Sequence, residues 1–304
     1  MGNKLPDLMI GDLKINPPII QGGMGVRISV ASLVVAVCKE GAIGTIASVG
    51  LGEEYEETKQ KNLSYVERSK LALKAQIDEV KRKTTNPFAV NIMCALNNYD
   101  DLVDVCVKNK VPIIISGAGL PLKLPLLAGK SETKLIPIVS SARAVDIICK
   151  TWHRKYNRLP DALIVEGPLA GGHLGFNLAQ LEALENLKLE KLVLEVLERA
   201  KEFGNIPIIA AGGIFDGHDI ARFLKIGASG VQIATRFVCT HECDVSPKLK
   251  DEFLKSKKED IVIINSPVGM PGRVIRNKFI DKIMKGEKVS FSCSYQCLKT
   301  CDSA

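Results

Sequence analysis

Long apolar runs are absent. No stretch of the 304 residues approaches the ~18 apolar positions of a membrane span, so no membrane partner is expected. The first residues, Met1-Gly2-Asn3-Lys4-Leu5-Pro6, lack the apolar core of a secretory signal, and a cytoplasmic location is the expectation. No basic block or arginine-rich helix is present, which argues against nucleic acid as a partner. Cysteine occurs, but not as a framework: nine residues, an odd number scattered over a chain of this length, read as reduced thiols rather than disulfides. Internal repeats, low-complexity tracts and flexible linkers are also missing. Tryptophan occurs once, and Trp152 reads as a packing residue rather than a cofactor platform.

What remains is a globular composition. Hydrophobic residues make up 46% and charged residues 25%, the balance of a chain able to bury one large core or two ordinary ones. Lysine and arginine outnumber acids by 41 to 34, a surplus of +7 spread along the sequence. It reads first as a solvated lysine-rich surface and second as mild attraction for anionic substrates or phosphate groups.

Short apolar runs alternate with helical patterns almost from end to end. Eight runs read as strands, at residues 18–21, 42–47, 88–91, 112–116, 135–139, 162–166, 207–211 and 230–233. They do not alternate in polarity, as expected where both faces of a parallel sheet are covered. Helical patterns lie at residues 30–39, 65–83, 100–108, 142–156 and 248–258. Strands leading repeatedly toward helices fit an α/β fold of the TIM (β/α)8 barrel type better than an open doubly wound sheet. Two further patterns, at 178–187 and 189–203, read as a small insertion or lid after the sixth strand. The barrel is assigned to residues 1–260, and residues 261–304 to a C-terminal extension packed on it.

Chemistry-bearing residues follow the strands. Gly22-Gly23, Asn91, Ser116-Gly117, Gly171-Gly172-His173 and Gly212-Gly213 come directly after them, where a barrel gathers its active site at the C-terminal rim. In Gly171-Gly172-His173 the glycines let a ligand approach backbone closely, and the histidine exchanges protons near neutral pH. A plain glycine turn with an exposed loop histidine is the other reading. Two loops late in the barrel suit a phosphate. Gly212-Gly213 closes the seventh strand, and Gln232-Ile233-Ala234-Thr235-Arg236-Phe237 closes the eighth, offering backbone amides and a threonine hydroxyl. Tight turns with Thr235 as a helix cap are the alternative. Gln21-Gly22-Gly23-Met24-Gly25 can pass main chain against an aromatic ring, and Asn91 offers donor and acceptor groups to a heterocycle edge. Ordinary turn chemistry would also account for both.

The ordered set of these segments resembles the nitronate monooxygenase family, formerly called 2-nitropropane dioxygenases, and the related FMN-dependent enoyl-ACP reductase II. The matching runs are Pro18-Ile19-Ile20-Gln21-Gly22-Gly23-Met24, Pro87-Phe88-Ala89-Val90-Asn91, Ser116-Gly117-Ala118-Gly119-Leu120-Pro121, Ala170-Gly171-Gly172-His173, Ile209-Ala210-Ala211-Gly212-Gly213-Ile214 and Thr235-Arg236-Phe237. The resemblance implies a barrel holding FMN noncovalently, with Gly22, Gly23 and Met24 beside the ring and Asn91 hydrogen-bonded to it. It implies Gly212, Gly213, Ala234 and Thr235 around the phosphate, Gln232, Gly171 and Gly172 lining the cofactor pocket, and Glu166 near the cofactor. His173 matches the family's catalytic histidine.

Some positions depart from the pattern: Ala234 stands where many relatives have glycine, and Ile138 where some nitronate oxidisers carry lysine. The Ser116 loop resembles the enoyl reductase branch. Nitronate monooxygenase activity, converting alkyl nitronates and O2 to carbonyl compounds and nitrite, is the leading expectation. NAD(P)H-dependent reduction of an enoyl thioester is the alternative, and a homodimer is the assembly considered. A flavin-binding protein without turnover and a barrel for another phosphorylated ligand are further readings.

Cys293-x3-Cys297-x3-Cys301 and Cys239-Thr240-His241-Glu242-Cys243 bring thiols and an imidazole close in sequence. Three tail thiols fall short of the usual four zinc or iron-sulfur ligands, so structural thiols and no metal are expected. His153 within a helix and His218 at a helix start read as surface or capping residues.

Overall fold

Parallel strands that bury side chains on both faces make the centre of the molecule, described in a computed structural model for residues 5–52, 63–184, 187–266, 269–287 and 297–299. A hairpin of β1 (Leu8–Ile10) and β2 (Leu13–Ile15), not expected from the sequence, comes first. The barrel strands are β3 (Ile19–Gln21), β4 (Thr45–Ala47), β5 (Ala89–Met93), β6 (Ile113–Gly117), β7 (Lys134–Val139) and β8 (Leu163–Glu166). A short strand β9 (Gly172–His173) intervenes before β10 (Ile208–Ala211) and β11 (Gly230–Ile233), and β12 (Ile261–Asn265) and β13 (Pro271–Ile275) follow.

Neighbours run β3-β11-β10-β8-β7-β6-β5-β4. The circle closes where Gln21 N–H donates to Ile43 O at 2.8 Å and Ile43 N–H to Ile19 O at 3.0 Å. This is a TIM barrel, as the succession of apolar runs and helices predicts. Ile20, Ile43, Ala89, Ile113, Ile115, Ile136, Ile164 and Ile209 fill the interior. Val90, Ile114, Leu135, Leu163, Ile208 and Val231 belong to the layer shared with the helices. The first hairpin plugs the N-terminal end: Leu8, Ile10 and Ile15 join the interior cluster, and Asp12 pairs with Lys134, the first residue of β7, at 2.5 Å.

The helices are α1 (Ala31–Lys39), α2 (Tyr65–Lys83), α3 (Tyr99–Lys108), α4 (Leu124–Ala128), α5 (Ala142–Tyr156), α6 (Leu178–Glu182), α7 (Leu189–Ala200), α8 (Gly217–Lys225), α9 (Pro247–Lys255) and α10 (Lys278–Met284). Their starts follow ordinary capping chemistry: the Ser64 and Glu67 capping box opens α2, Ser141 caps α5 and Asp216 caps α8. Trp152 is fully buried in α5 and donates from Nε1 to Pro121 O at 3.1 Å, a packing role as expected. No helix among the described residues is long and apolar enough to cross a membrane.

Several boundaries differ from the sequence pattern. The α-helix expected at 178–187 stops at Glu182, and Leu184 and Leu187 pack on the core beyond its end. The last barrel helix ends at Lys255, where Ser256 turns extended, and a 3-10 turn covers Lys258–Asp260. Asn91 and Ser116-Gly117 lie within strands rather than after them. Gly171-Gly172-His173 does not come straight off β8: a loop at residues 167–170 intervenes, and β9 leaves the barrel. Its Gly172 and His173 pair antiparallel with Arg273 and Gly272 of β13, making the third strand of a sheet with β12 and β13.

Candidate active site

Side chains two apart on a strand share a face, so the interior isoleucines and alanines fix which later residues line the mouth. Continuing Ile43 to Thr45, Ala89 to Asn91, Ile164 to Glu166 and Gly230 to Gln232 puts polar groups above the apolar interior at the C-terminal end. The register agrees, with Ala211 opposite both Glu166 and Gln232. A Cβ on Gly22 would lie 3.2 Å from Gln232 Cγ and 3.3 Å from Ala234 Cβ. At Gly23 it would lie 2.6 Å from Asn91 Cβ, so only glycine lets that loop meet β5. Two buried atoms beside these glycines, Thr45 Oγ1 and Gln232 Oε1, have no hydrogen-bond partner among the described residues. Such atoms cost free energy unless a ligand or water satisfies them.

The Gly22–Met24 turn is held from below. Gln21 is fully buried; its Oε1 accepts from Thr45 N–H at 2.9 Å, and its Nε2 donates to Ser29 Oγ at 2.9 Å and to Gly22 O. Ser29 Oγ also accepts from Met24 N–H at 3.0 Å. Met24 packs against a cluster of Leu33, Val37 and Cys243. Neither Gln21 nor Ser29 stood out in the sequence as a site residue, since a glutamine ending a strand reads equally as a turn group.

The remaining loops converge on Gly212-Gly213. Gly212 has φ +91°, and a Cβ there would sit 2.9 Å from Gly167 O and 3.2 Å from Ala170 Cβ. Gly213 abuts Leu169 in the same way, so the 167–170 loop lies directly on this turn. Across it, a Cβ on Gly171 would be 3.7 Å from Thr235 Oγ1. Thr235 opens a 3-10 turn (Thr235–Phe237), whose first amides have no acceptor within the turn.

Charge at the mouth is muted. Burial alone pushes the Glu166 carboxyl up to about 7, and burial lowers the pKa of His173 even though part of that residue faces solvent. Ile138 packs 3.0 Å from where a Gly117 Cβ would stand, an apolar wall. Ser116 does not reach the mouth: fully buried, it donates to Ile92 O at 2.9 Å and lies 3.0 Å from Tyr99 Oη. His173 Nε2 lies 3.1 Å from Ser266 Oγ, and Arg273 donates to Ala170 O at 3.2 Å and Pro168 O at 2.8 Å. Burial lowers the Arg273 pKa. Ser266 and Arg273 went unread in the sequence because their partners lie about a hundred residues away.

The nitronate monooxygenase family profile matches residues 7–302, the whole barrel together with the hairpin that meets His173. The chain belongs to the nitronate monooxygenase family. It is 30% identical over 276 residues to the (3aS,4S,5R,7aS)-5-hydroxy-7a-methyl-1-oxo-octahydro-1H-indene-4-carboxyl-CoA dehydrogenase of Mycobacterium tuberculosis, covering 90% of this chain and 67% of that protein. It is 27% identical to a probable nitronate monooxygenase of Staphylococcus aureus, over 90% of this chain and 79% of the relative. Among solved structures, FabK from Thermotoga maritima superposes with a TM-score of 0.71 at 33% identity, covering 90% of this chain and 76% of that one. A nitroalkane oxidase from Streptomyces ansochromogenes, at 22% identity and a TM-score of 0.70 over 88% and 79% of the two chains, shares the fold.

As a member of this family the protein is an oxidoreductase. Cys239 and Cys243 are free thiols, and no metal-holding cluster of three ligands occurs among the described residues. Cys293 and Cys301 lie outside the described residues. His153 lies in the last turn of α5, and His218 is exposed with its amide donating to the capping Asp216 at 2.9 Å.

Proposed function

We propose that the chain is an FMN-dependent oxidoreductase that reduces an enoyl thioester with electrons from NAD(P)H, and that oxidation of alkyl nitronates is the second reading. The unpartnered Gln232 Oε1 beside Gly22 and Ala234 carries the flavin part: a buried acceptor on a glycine-floored mouth suits a polar heterocycle bearing N–H groups. Thr45 Oγ1, also unpartnered, fits the same group. FMN, when bound, supplies two-electron transfer between a nicotinamide donor and the acceptor.

The chain's own residues do the rest. Asn91 and Gln232 meet the polar edge of the ring, while Gly22, Gly23 and Met24 bring main chain to its face. Gly212, Gly213, Ala234 and Thr235 hold the phosphate through amides and a hydroxyl. Gly171 and Gly172 keep the substrate side open, and His173 orients the thioester carbonyl and relays a solvent proton to the α-carbon, the hydride going to the β-carbon. Glu166, protonated below about 7, keeps a negative charge away from the pocket.

The order of the two substrate readings turns on charge. A nitronate is an anion and gains from a cation that donates to it directly, but Ile138 is apolar, His173 is biased to its neutral form, and the charged Arg273 gives N–H groups to two backbone carbonyls. A neutral thioester suits such a wall better. The 30% identity with a dehydrogenase named for a carboxyl-CoA compound supports the same class. The family match and the Staphylococcus aureus relatives favour the nitronate reading, in which His173 holds the anion or takes the α-proton of a neutral nitroalkane.

Paired assays on FMN-loaded protein test the proposal: NADH oxidation with an enoyl thioester, and oxygen uptake with propionate-3-nitronate. NADH oxidation dependent on the thioester is expected, with His173→Ala lowering kcat by roughly a hundred-fold. Oxygen uptake with the nitronate and no thioester turnover would reverse the order. Protein that shows no flavin absorption band after FMN addition would remove both readings.

A further inference from the structure

We propose that Ser266, from the C-terminal hairpin, is a positioning residue for His173: its hydroxyl holds the imidazole in one orientation through Nε2, leaving Nδ1 as the ring nitrogen for the substrate. The role rests on the reading of His173 as the substrate-side residue. Ser266 Oγ lies 3.1 Å from His173 Nε2, 93 positions along the chain, so this contact comes from the hairpin rather than from a barrel strand.

The contact is built by the sheet. His173 pairs with Gly272 of β13, and Leu174 N–H donates to Pro271 O at 2.9 Å, so β9 is registered on the hairpin on both sides of the histidine. The residue opposite the histidine is glycine, and a Cβ there would touch His173 Cδ2 at 3.9 Å; the imidazole therefore lies across Gly272 toward the hairpin turn. Ser266 is itself fixed, because its N–H donates to Met270 O at 2.9 Å and its carbonyl accepts from Gly269 N–H at 2.8 Å. Arg273, the next residue along β13, ties the strand to the barrel through Ala170 O and Pro168 O. The hydroxyl thus stands just past the end of β12, on a hairpin whose other strand, β13, is anchored to the loop that packs against Gly212 and Gly213.

A serine hydroxyl donates and accepts, so it engages Nε2 in either tautomer, and what it fixes is the orientation of the ring. With Nε2 held by Ser266, the ring orientation is set before substrate arrives. Without the hydroxyl the ring exchanges orientations freely. An active-site group then spends only part of its time in the productive form.

The test uses full-length, FMN-loaded protein with isotope-labelled histidine, reading the imidazole nitrogen shifts of His173 identified by their loss in His173→Ala. The parent is expected to show the Nε2 shift of a hydrogen-bonded nitrogen. In Ser266→Ala that shift should move to the value of a ring without the bond, and kcat should fall about ten-fold, the size of one lost hydrogen bond. FMN affinity and the flavin absorption band should stay unchanged. Ser266→Thr, which keeps the hydroxyl, should restore both shifts and rate. Unchanged imidazole shifts in Ser266→Ala would overturn the proposal. Altered shifts together with a fully active His173→Ala would uphold the Ser266 contact and instead remove His173 from the reaction.

Discussion

Glu166 makes the stability of the mouth depend on pH. Burial raises its carboxyl from 4.5 to about 7, so across that window the folded chain keeps a proton that the unfolded chain has released. Stability from this group therefore falls as pH rises from about 4.5 and levels off above about 7. Glu166→Gln removes the charge altogether. Thermal melts of flavin-free parent and variant should coincide near pH 4.5 and separate in favour of the variant by pH 8. Equal melting temperatures at both ends would mean that the carboxylate is solvated after all. Gln21 offers a second test, because its one side chain serves Thr45 N–H, Ser29 Oγ and Gly22 O at the seam where the barrel closes. Gln21→Leu keeps the bulk and strands these groups, so urea unfolding should show a loss of about 2–4 kcal/mol. A loss under about 0.5 kcal/mol would mean that water replaces the amide.

Strands of the barrel are legible in the sequence because runs such as Ile113-Ile114-Ile115 and Ile208-Ile209 are apolar on both faces, a pattern that two-sided burial explains. The same parity, applied further, shows which strand-end residues matter: counting on from Ile115 sends Ser116 toward the helices, while Ala89 sends Asn91 inward. The partner of β9 leaves no such trace. Gly172 and His173 pair with Arg273 and Gly272 about a hundred residues along the chain, and no local periodicity encodes that pairing. The hairpin β1–β2 is missed for another reason, since three-residue strands are too short for alternation to register. The β9–β13 pairing carries its own prediction. Arg273→Ala frees two carbonyls that pin the 167–170 loop, and Gly212→Ala pushes the same loop from beneath with a Cβ 2.9 Å from Gly167 O at φ +91°. Each should raise the FMN dissociation constant about ten-fold in a fluorescence titration. Because both act on one loop, the double variant should fall short of the product of the two effects. Fully multiplicative effects would show that hairpin and glycine turn act separately.

Across the whole molecule, the barrel is sealed at one end and unfinished at the other. The N-terminal hairpin fills its lower end with Leu8, Ile10 and Ile15, whereas the upper end leaves Gln232 Oε1 and Thr45 Oγ1 buried without partners. A ligand that satisfies those atoms binds only the folded chain, so it stabilises by mass action, by about 2.7 kcal/mol at a hundred-fold excess over its dissociation constant. For a domain of this size that corresponds to a rise in Tm of roughly 4 °C. The reading assigns the ring to Asn91, Gln232 and the Gly22 turn, and the phosphate to Gly212, Gly213 and Thr235, so the two parts can be separated by ligand. Riboflavin carries the ring without the phosphate and should give a smaller rise than FMN at equal concentration. Thr235→Ala should narrow the gap between the two ligands by lowering the FMN response while leaving riboflavin unaffected. An equal rise for both ligands in the parent would take the phosphate away from the Gly212 and Thr235 loops, and no rise with either would take the flavin away from the mouth.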